Sequence, residues 1–218
     1  MQPSGLQCVR CGKIFPPHPG AGPCLRCSGE INRPGILDLV FDEGIFRDGG
    51  AFKRTLSSPC REAGLWAYES LLPVDPGKPH VTLGEGHTPL TTVPALASSV
   101  GIDSLHIKNE CLNPTGSFKD RIAAMVVAKA QEAGARTMVL VSSGNMAVSA
   151  AAYGAVAGLK TVVIVSPSVS RERIVQIALY GATVVRVRGT SADRLGLCLS
   201  AVERFGWYNA NSPYNPYG

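Results

Sequence analysis

The chain has 218 residues, 45% of them hydrophobic and 17% charged, with 24 glycines and 16 prolines. That length allows one large domain or two small ones around a substantial apolar core, and the composition excludes a disordered chain. The net charge of +5 is dispersed as single Lys and Arg residues, which suits small anions and argues against a nucleic-acid partner.

The first residues, MQPSGLQCVRCG, lack the basic start and apolar run of a secretory signal, so the expected compartment is the cytoplasm. The longest apolar stretch, residues 147–165, is broken by Ser149, Tyr153 and Lys160 and by Gly154 and Gly158, so no membrane partner is expected. Cys8-x-x-Cys11 and Cys24-x-x-Cys27 form two pairs in a Gly/Pro-rich segment. Two such turns can present four thiolates tetrahedrally to one Zn²⁺, with Gly12 relaxing the backbone of the first; two disulfides, or a knuckle without metal, are the alternatives. A closed Cys₄ site is structural, and His18 between the pairs reads as a loop residue.

From residue 30 to about residue 92, short apolar pieces alternate with prolines and show little periodicity, and Gly49-Gly50 reads as a turn. Beyond this the pattern predicts a strand over 105–110, a helix over 117–132, a strand over 137–141, a helix over 146–157 and a strand over 161–165. A helix over 171–179, a strand over 183–188 and a helix over 192–205 follow. Strand and helix alternate, and the 137–141 and 161–165 runs are continuously apolar. An α/β fold with a parallel sheet and helices on both faces follows, preceded by a small zinc ribbon.

Ligands of an open parallel sheet sit where strands lead into helix N-termini. One such loop, Asn113-Pro-Thr-Gly-Ser-Phe-Lys-Asp-Arg121, opens the helix at 117. Thr115 or Ser117 can cap that helix, and Lys119 falls in its first turn, where unpaired amides and the helix dipole disfavour a cation. That setting suits an amine that forms a Schiff base with an aldehyde cofactor; the plainer reading is a solvated lysine beside Asp120. The second loop, Ser142-Ser143-Gly144-Asn145, offers amides and hydroxyls at a helix start to a carboxylate or phosphate, and the Asn145 amide can donate to a phenolate. Asn145 or Ser143 acting only as a helix cap is equally open from this loop alone.

The runs Leu83-Gly-Glu-Gly-His-Thr-Pro-Leu90, Lys108-Asn-Glu110, Asn113 to Arg121, Ser142-Ser-Gly-Asn145 and Ala150-Ala-Ala-Tyr153 resemble the threonine synthases, within the pyridoxal-phosphate enzymes of the tryptophan synthase β fold. The resemblance covers nearly the whole chain. It implies a zinc ribbon over 1–34, the N-terminal part of the large cofactor domain over 35–100, the small α/β domain over 101–210 and the start of the return to the large domain over 211–218. It also implies that Lys119 carries pyridoxal 5'-phosphate and moves protons in catalysis, that Phe118 packs near the ring and Asn145 donates to its O3′. Ser142, Ser143 and Gly144 would receive the carboxylate of an amino-acid substrate. The implied reaction converts O-phospho-L-homoserine to L-threonine and phosphate.

Two departures follow. Met146 stands where threonine synthases usually place Thr beside the carboxylate loop, which leaves amino-acid dehydratases and β-replacing synthases as alternative activities. The chain also shows no second Gly-rich cup for the cofactor phosphate, so it reads as a fragment with weak cofactor retention and little turnover, and its incomplete sheet favours a homo-oligomer. A non-enzymatic zinc-ribbon protein is a further alternative, although Arg10, Lys13, Arg26 and Phe15 make a sparse surface for nucleic acid.

Overall fold

The structure, a computed structural model, describes residues 1–24, 26–27, 35–42, 44 and 61–218; the Gly49-Gly50 turn lies outside them. Near the N-terminus Gly5–Cys8 (β1), Ile14–Phe15 (β2) and Leu37–Val40 (β3) form an antiparallel sheet in the order β2-β1-β3. Its third strand lies beyond residue 34, because Cys8 pairs with Leu37 and Gly5 with Val40. This ribbon rests on the rest of the molecule through backbone acceptors: Tyr208 donates to Pro19 O at 3.0 Å, Tyr217 to His18 O at 3.1 Å, and the N-terminal ammonium to Leu72 O at 2.8 Å.

Leu90–Thr92 (β4) and His106–Lys108 (β5) pair antiparallel around the short helix Pro94–Val100 (α1). The strand expected over 105–110 therefore does not open the parallel sheet. Its His-Ile-Lys pattern alternates, as in antiparallel strands, whereas strands covered on both faces run continuously apolar.

The parallel sheet consists of Thr137–Val141 (β6), Lys160–Val165 (β7), Thr183–Arg186 (β8) and Tyr208–Asn209 (β9), in the order β8-β7-β6-β9. The helices Lys119–Glu132 (α2), Asn145–Val156 (α3), Arg171–Leu179 (α4) and Ser191–Phe205 (α5) precede or connect these strands. Side chains alternate across the sheet, as the period of two requires. Met138, Leu140, Val163 and Val165 enter the main core with the alanines of α2 and α3, while Val139, Val162 and Ile164 meet Cys198 and Val202 of α5 and Trp207. Helices thus cover both faces, as the sequence predicts. The α3 sequence is rich in alanine, so its axis can approach the sheet closely, and Gly154 leaves no room for a Cβ beside Thr161 and Met138.

After β6 the chain steps outward to β7 and β8, and α5 then carries it back across to β9 on the other side of β6. The order reverses at β6, and in such sheets ligands bind beyond the carboxyl ends of the strands at the reversal. The loop leaving β6 there is residues 142–144. β9 itself is two residues long and leaves no periodic signal in the sequence. No helix among the described residues is long and apolar enough to cross a membrane.

Candidate active site

Lys119 is the first residue of α2. Ser117 Oγ accepts from its backbone N at 3.2 Å, but the cap position falls on Phe118, which makes no side-chain cap bond, so neither Thr115 nor Ser117 caps the helix. Thr115 is engaged by a different group. Asp120, fully buried, accepts from Thr115 N at 2.7 Å and from its hydroxyl at 2.5 Å. Asp120 is thus a buried anchor of the turn rather than a solvated neighbour of Lys119, and Gly116 at φ 83° lets the chain make that turn. The Thr115 hydroxyl also meets Ser149 of α3 at 2.9 Å, which ties the entry of α2 to the first turns of α3. Among the described residues, Lys119 Nζ has neither a carboxylate partner nor a hydrogen bond; it lies 4.4 Å from the centroid of the half-exposed Phe118 ring.

In the second loop Gly144 caps α3 with extended backbone, and neither Ser143 nor Asn145 provides a side-chain cap. Ser143 is exposed, Ser142 is half-buried, and a Cβ on Gly144 would meet nothing within 4 Å, so the loop faces open space. Asn145 is exposed, and its Oδ1 accepts from the Arg173 guanidinium at 3.3 Å. Met146 is buried in the main core. The two predicted loops are therefore brought onto adjacent helix N-termini, both open toward solvent.

Behind them lies a polar layer to which the sequence attaches no role. Arg121 of α2 grips Glu110 at 2.8 and 2.9 Å, and Thr88 and Asn113 donate to the same carboxylate at 2.6 and 2.9 Å. The hydrogen bonds from Arg121, against the opposing effect of burial and helped by Thr88 and Asn113, hold Glu110 down at about 2. Glu85 and Tyr153 are fully buried and joined by a 2.7 Å hydrogen bond. Burial, with that bond to Glu85, drives the Tyr153 phenol well above its usual range, so it acts as a fixed donor. These residues stand in the sequence runs that carry the family resemblance, but Glu85 and Tyr153 are 68 positions apart and only the fold shows them meeting.

At the ribbon, the sulfurs of Cys8, Cys11, Cys24 and Cys27 all lie within 4.8 Å of one another, with Cys8–Cys27 and Cys11–Cys24 each at 3.9 Å. Tetrahedral Zn–S bonds of about 2.3 Å place sulfurs roughly 3.8 Å apart, so the donor set fits a zinc ion. Gly35 completes the fit: a Cβ there would come within 2.8 Å of both Cys24 Cβ and Cys8 Sγ. Burial opposes ionisation of Cys8, but amide bonds from Cys11 and Arg10 and the neighbouring thiols bring it down to about 7. Burial and the other three thiols push Cys27 up to about 12.

The family described as "Pyridoxal-phosphate dependent enzyme" matches residues 81–218, a span that holds both loops and the polar layer. Threonine synthase of Methanosarcina acetivorans is 35% identical over 213 residues, covering 97% of this chain and 49% of that protein. Threonine synthase of Synechocystis sp. is 42% identical over 164 residues, covering 74% of this chain and 43% of that protein. Among solved structures, an O-ureido-L-serine synthase superposes with a TM-score of 0.52 at 31% identity, covering 56% of this chain and 40% of the other. The chain spans about half the length of the curated relatives it matches. The ribbon is thus joined to an enzyme domain rather than standing alone. With a partner-free lysine opening one helix and an amide-rich loop opening its neighbour inside the matched span, this chain belongs to the pyridoxal-phosphate dependent enzyme family.

Proposed function

We propose that this chain is the lysine-bearing part of an enzyme that converts O-phospho-L-homoserine and water to L-threonine and phosphate. In this reading pyridoxal 5'-phosphate is carried on Lys119 and a structural Zn²⁺ on Cys8, Cys11, Cys24 and Cys27. The observation that carries it is the Lys119 amine, without a hydrogen-bond partner among the described residues at the start of α2, in a turn locked by the buried Asp120 and bonded to α3. The likeness to threonine synthases along 97% of the chain supports the substrate.

When bound, the cofactor supplies the electron sink for carbanion chemistry. Lys119 Nζ anchors it and moves the proton at the substrate Cα, with no neighbouring carboxylate competing for the amine. Amides and hydroxyls of Ser142, Ser143 and Gly144, at the positive end of α3, receive the substrate carboxylate. Asn145, whose Oδ1 accepts from Arg173, would donate its amide to the ring oxygen, and Phe118 would pack near the ring. Paired thiols holding a metal rather than disulfides accord with a cytoplasmic setting.

Incubating the chain with pyridoxal 5'-phosphate, reducing with borohydride and mapping the peptides tests the assignment. The pyridoxyl group is expected mainly on Lys119, and phosphate release from O-phospho-L-homoserine should vanish in Lys119→Ala. Label spread evenly over the other lysines would overturn it. A β-replacing activity is the second reading, favoured by the likeness to O-ureido-L-serine synthase. Faster consumption of an O-activated serine than of O-phospho-L-homoserine would move the assignment there.

A further inference from the structure

We infer that the loop of residues 82–88 is a clamp between α2 and α3, and that Glu85 is its positioning residue, setting how far Lys119 stands from residues 142–145. The catalytic meaning of the clamp rests on the function proposed above; its mechanical basis does not.

At one end the loop grips α3. Glu85 Oε2 accepts from the Thr82 hydroxyl and Leu83 N, both at 3.0 Å, and from the Tyr153 hydroxyl at 2.7 Å. Its other oxygen, Oε1, is buried without a partner among the described residues. A carboxyl so placed is a poor stabiliser, because an unpaired buried oxygen costs free energy. What it does provide is a single atom that gathers donors from its own loop and from a helix far along the chain. At the other end the loop grips the entry to α2. Gly86 N donates to Asn113 Oδ1 at 3.0 Å, the Thr88 hydroxyl donates to Glu110 at 2.6 Å, and Glu110 holds Arg121 of α2.

The loop has little freedom between these grips. Leu65 N donates to Glu85 O at 2.8 Å. A Cβ on Gly64 (φ 56°) would strike Glu85 O, and one on Gly86 (φ 100°) would come within 3.1 Å of Leu65 N and 3.3 Å of the Arg121 guanidinium.

On α3 the two bonds fall on one helix face. Ser149 and Tyr153 are four residues apart, so they share one helix face, and both are fully buried. Ser149 takes the Thr115 bond and Tyr153 takes the Glu85 bond. α2 and α3 already pack through their alanines in the main core; two ties one turn apart add directional bonds to that contact and hold the spacing of the two helix N-termini.

Amide hydrogen exchange on the 218-residue chain without cofactor tests this. Tyr153→Phe removes only the hydroxyl and is expected to speed exchange about tenfold, the size of one lost hydrogen bond, at the bonded amides of Thr115 and Gly116 and of Ala147 and Val148 together. The strands β6, β7 and β8 should be unchanged. Glu85→Ala should do more, and Glu85→Gln, whose amide oxygen can still accept, should restore most of the protection. If Tyr153→Phe speeds only residues 82–86, or speeds the whole sheet equally, the clamp is wrong. If the exchange result holds but Lys119 takes no pyridoxyl label, the clamp stands and the proposed function falls.

Discussion

Around the four cysteines the buried apolar set is Leu6 and Leu37, with Phe15, Ala21 and Leu39 at its edge. Around the parallel sheet, more than twenty buried residues from α2, α3 and the strands close into one core, and a second cluster packs under α5. Among the described residues, so few apolar side chains offset little of an ordering cost of about 1–2 kcal/mol per residue. The proposed metal cross-link would therefore matter most to the ribbon, whereas the sheet unit is held by packing.

Removing the proposed zinc gives the largest expected effect. Structural zinc contributes on the order of 10 kcal/mol of apparent binding free energy in small zinc modules, so stripping the zinc-loaded chain with a chelator, or Cys8→Ser, is expected to unfold the β1–β3 sheet. The sheet unit should survive, with amide exchange of β6 and β7 unchanged. Loss of both units together would erase the contrast and show that the Tyr208 and Tyr217 bonds to Pro19 and His18 are essential to the sheet.

The converse test strikes the core. Gly154→Ala adds a methyl that would run into Thr161 Oγ1 and come within 2.5 Å of Met138 Cε. Overpacking there should cost about 2–3 kcal/mol, more than the roughly 1 kcal/mol that Ala gains over Gly in a helix interior. A lowered melting temperature for the sheet unit, with unaltered zinc affinity, is the expected result.

The smallest effect concerns the polar layer between core and site. Glu110 is held at about 2 against an ordinary 4.5, so its contribution is complete above about 4.5 and disappears as pH falls toward 2. Denaturant melts of Glu110→Gln and the parent chain should therefore differ most near neutral pH and converge on acidification. A difference independent of pH would mean that the Arg121 pair adds nothing to stability. The half-exposed geometry of that pair keeps the expected gap modest.

Much of this architecture is legible in the sequence, for local reasons. The continuous apolar runs of β6 and β7 announce strands covered on both faces, and the two CxxC pairs announce a four-sulfur cluster before any coordinates are known. The Lys119 and Ser142–Asn145 motifs mark the two loops to which chemistry is assigned in the proposed function. The strand over 105–110 is legible as a strand but not in its partner, because an alternating three-residue run carries no record of what it pairs with. β9 is too short to show a period at all.

The amino-acid order by itself therefore determined the strands and helices of the sheet unit from residue 137 to 205, the cysteine cluster and the two loops proposed as functional. Only the tertiary structure decided that Asp120 is buried beneath Thr115, that Gly35 must be small for the four sulfurs to close, and that Glu85 reaches Tyr153 across 68 positions. Periodicity and capping are properties of neighbouring residues, whereas the burial and pairing of a polar group depend on which distant segment the fold sets against it.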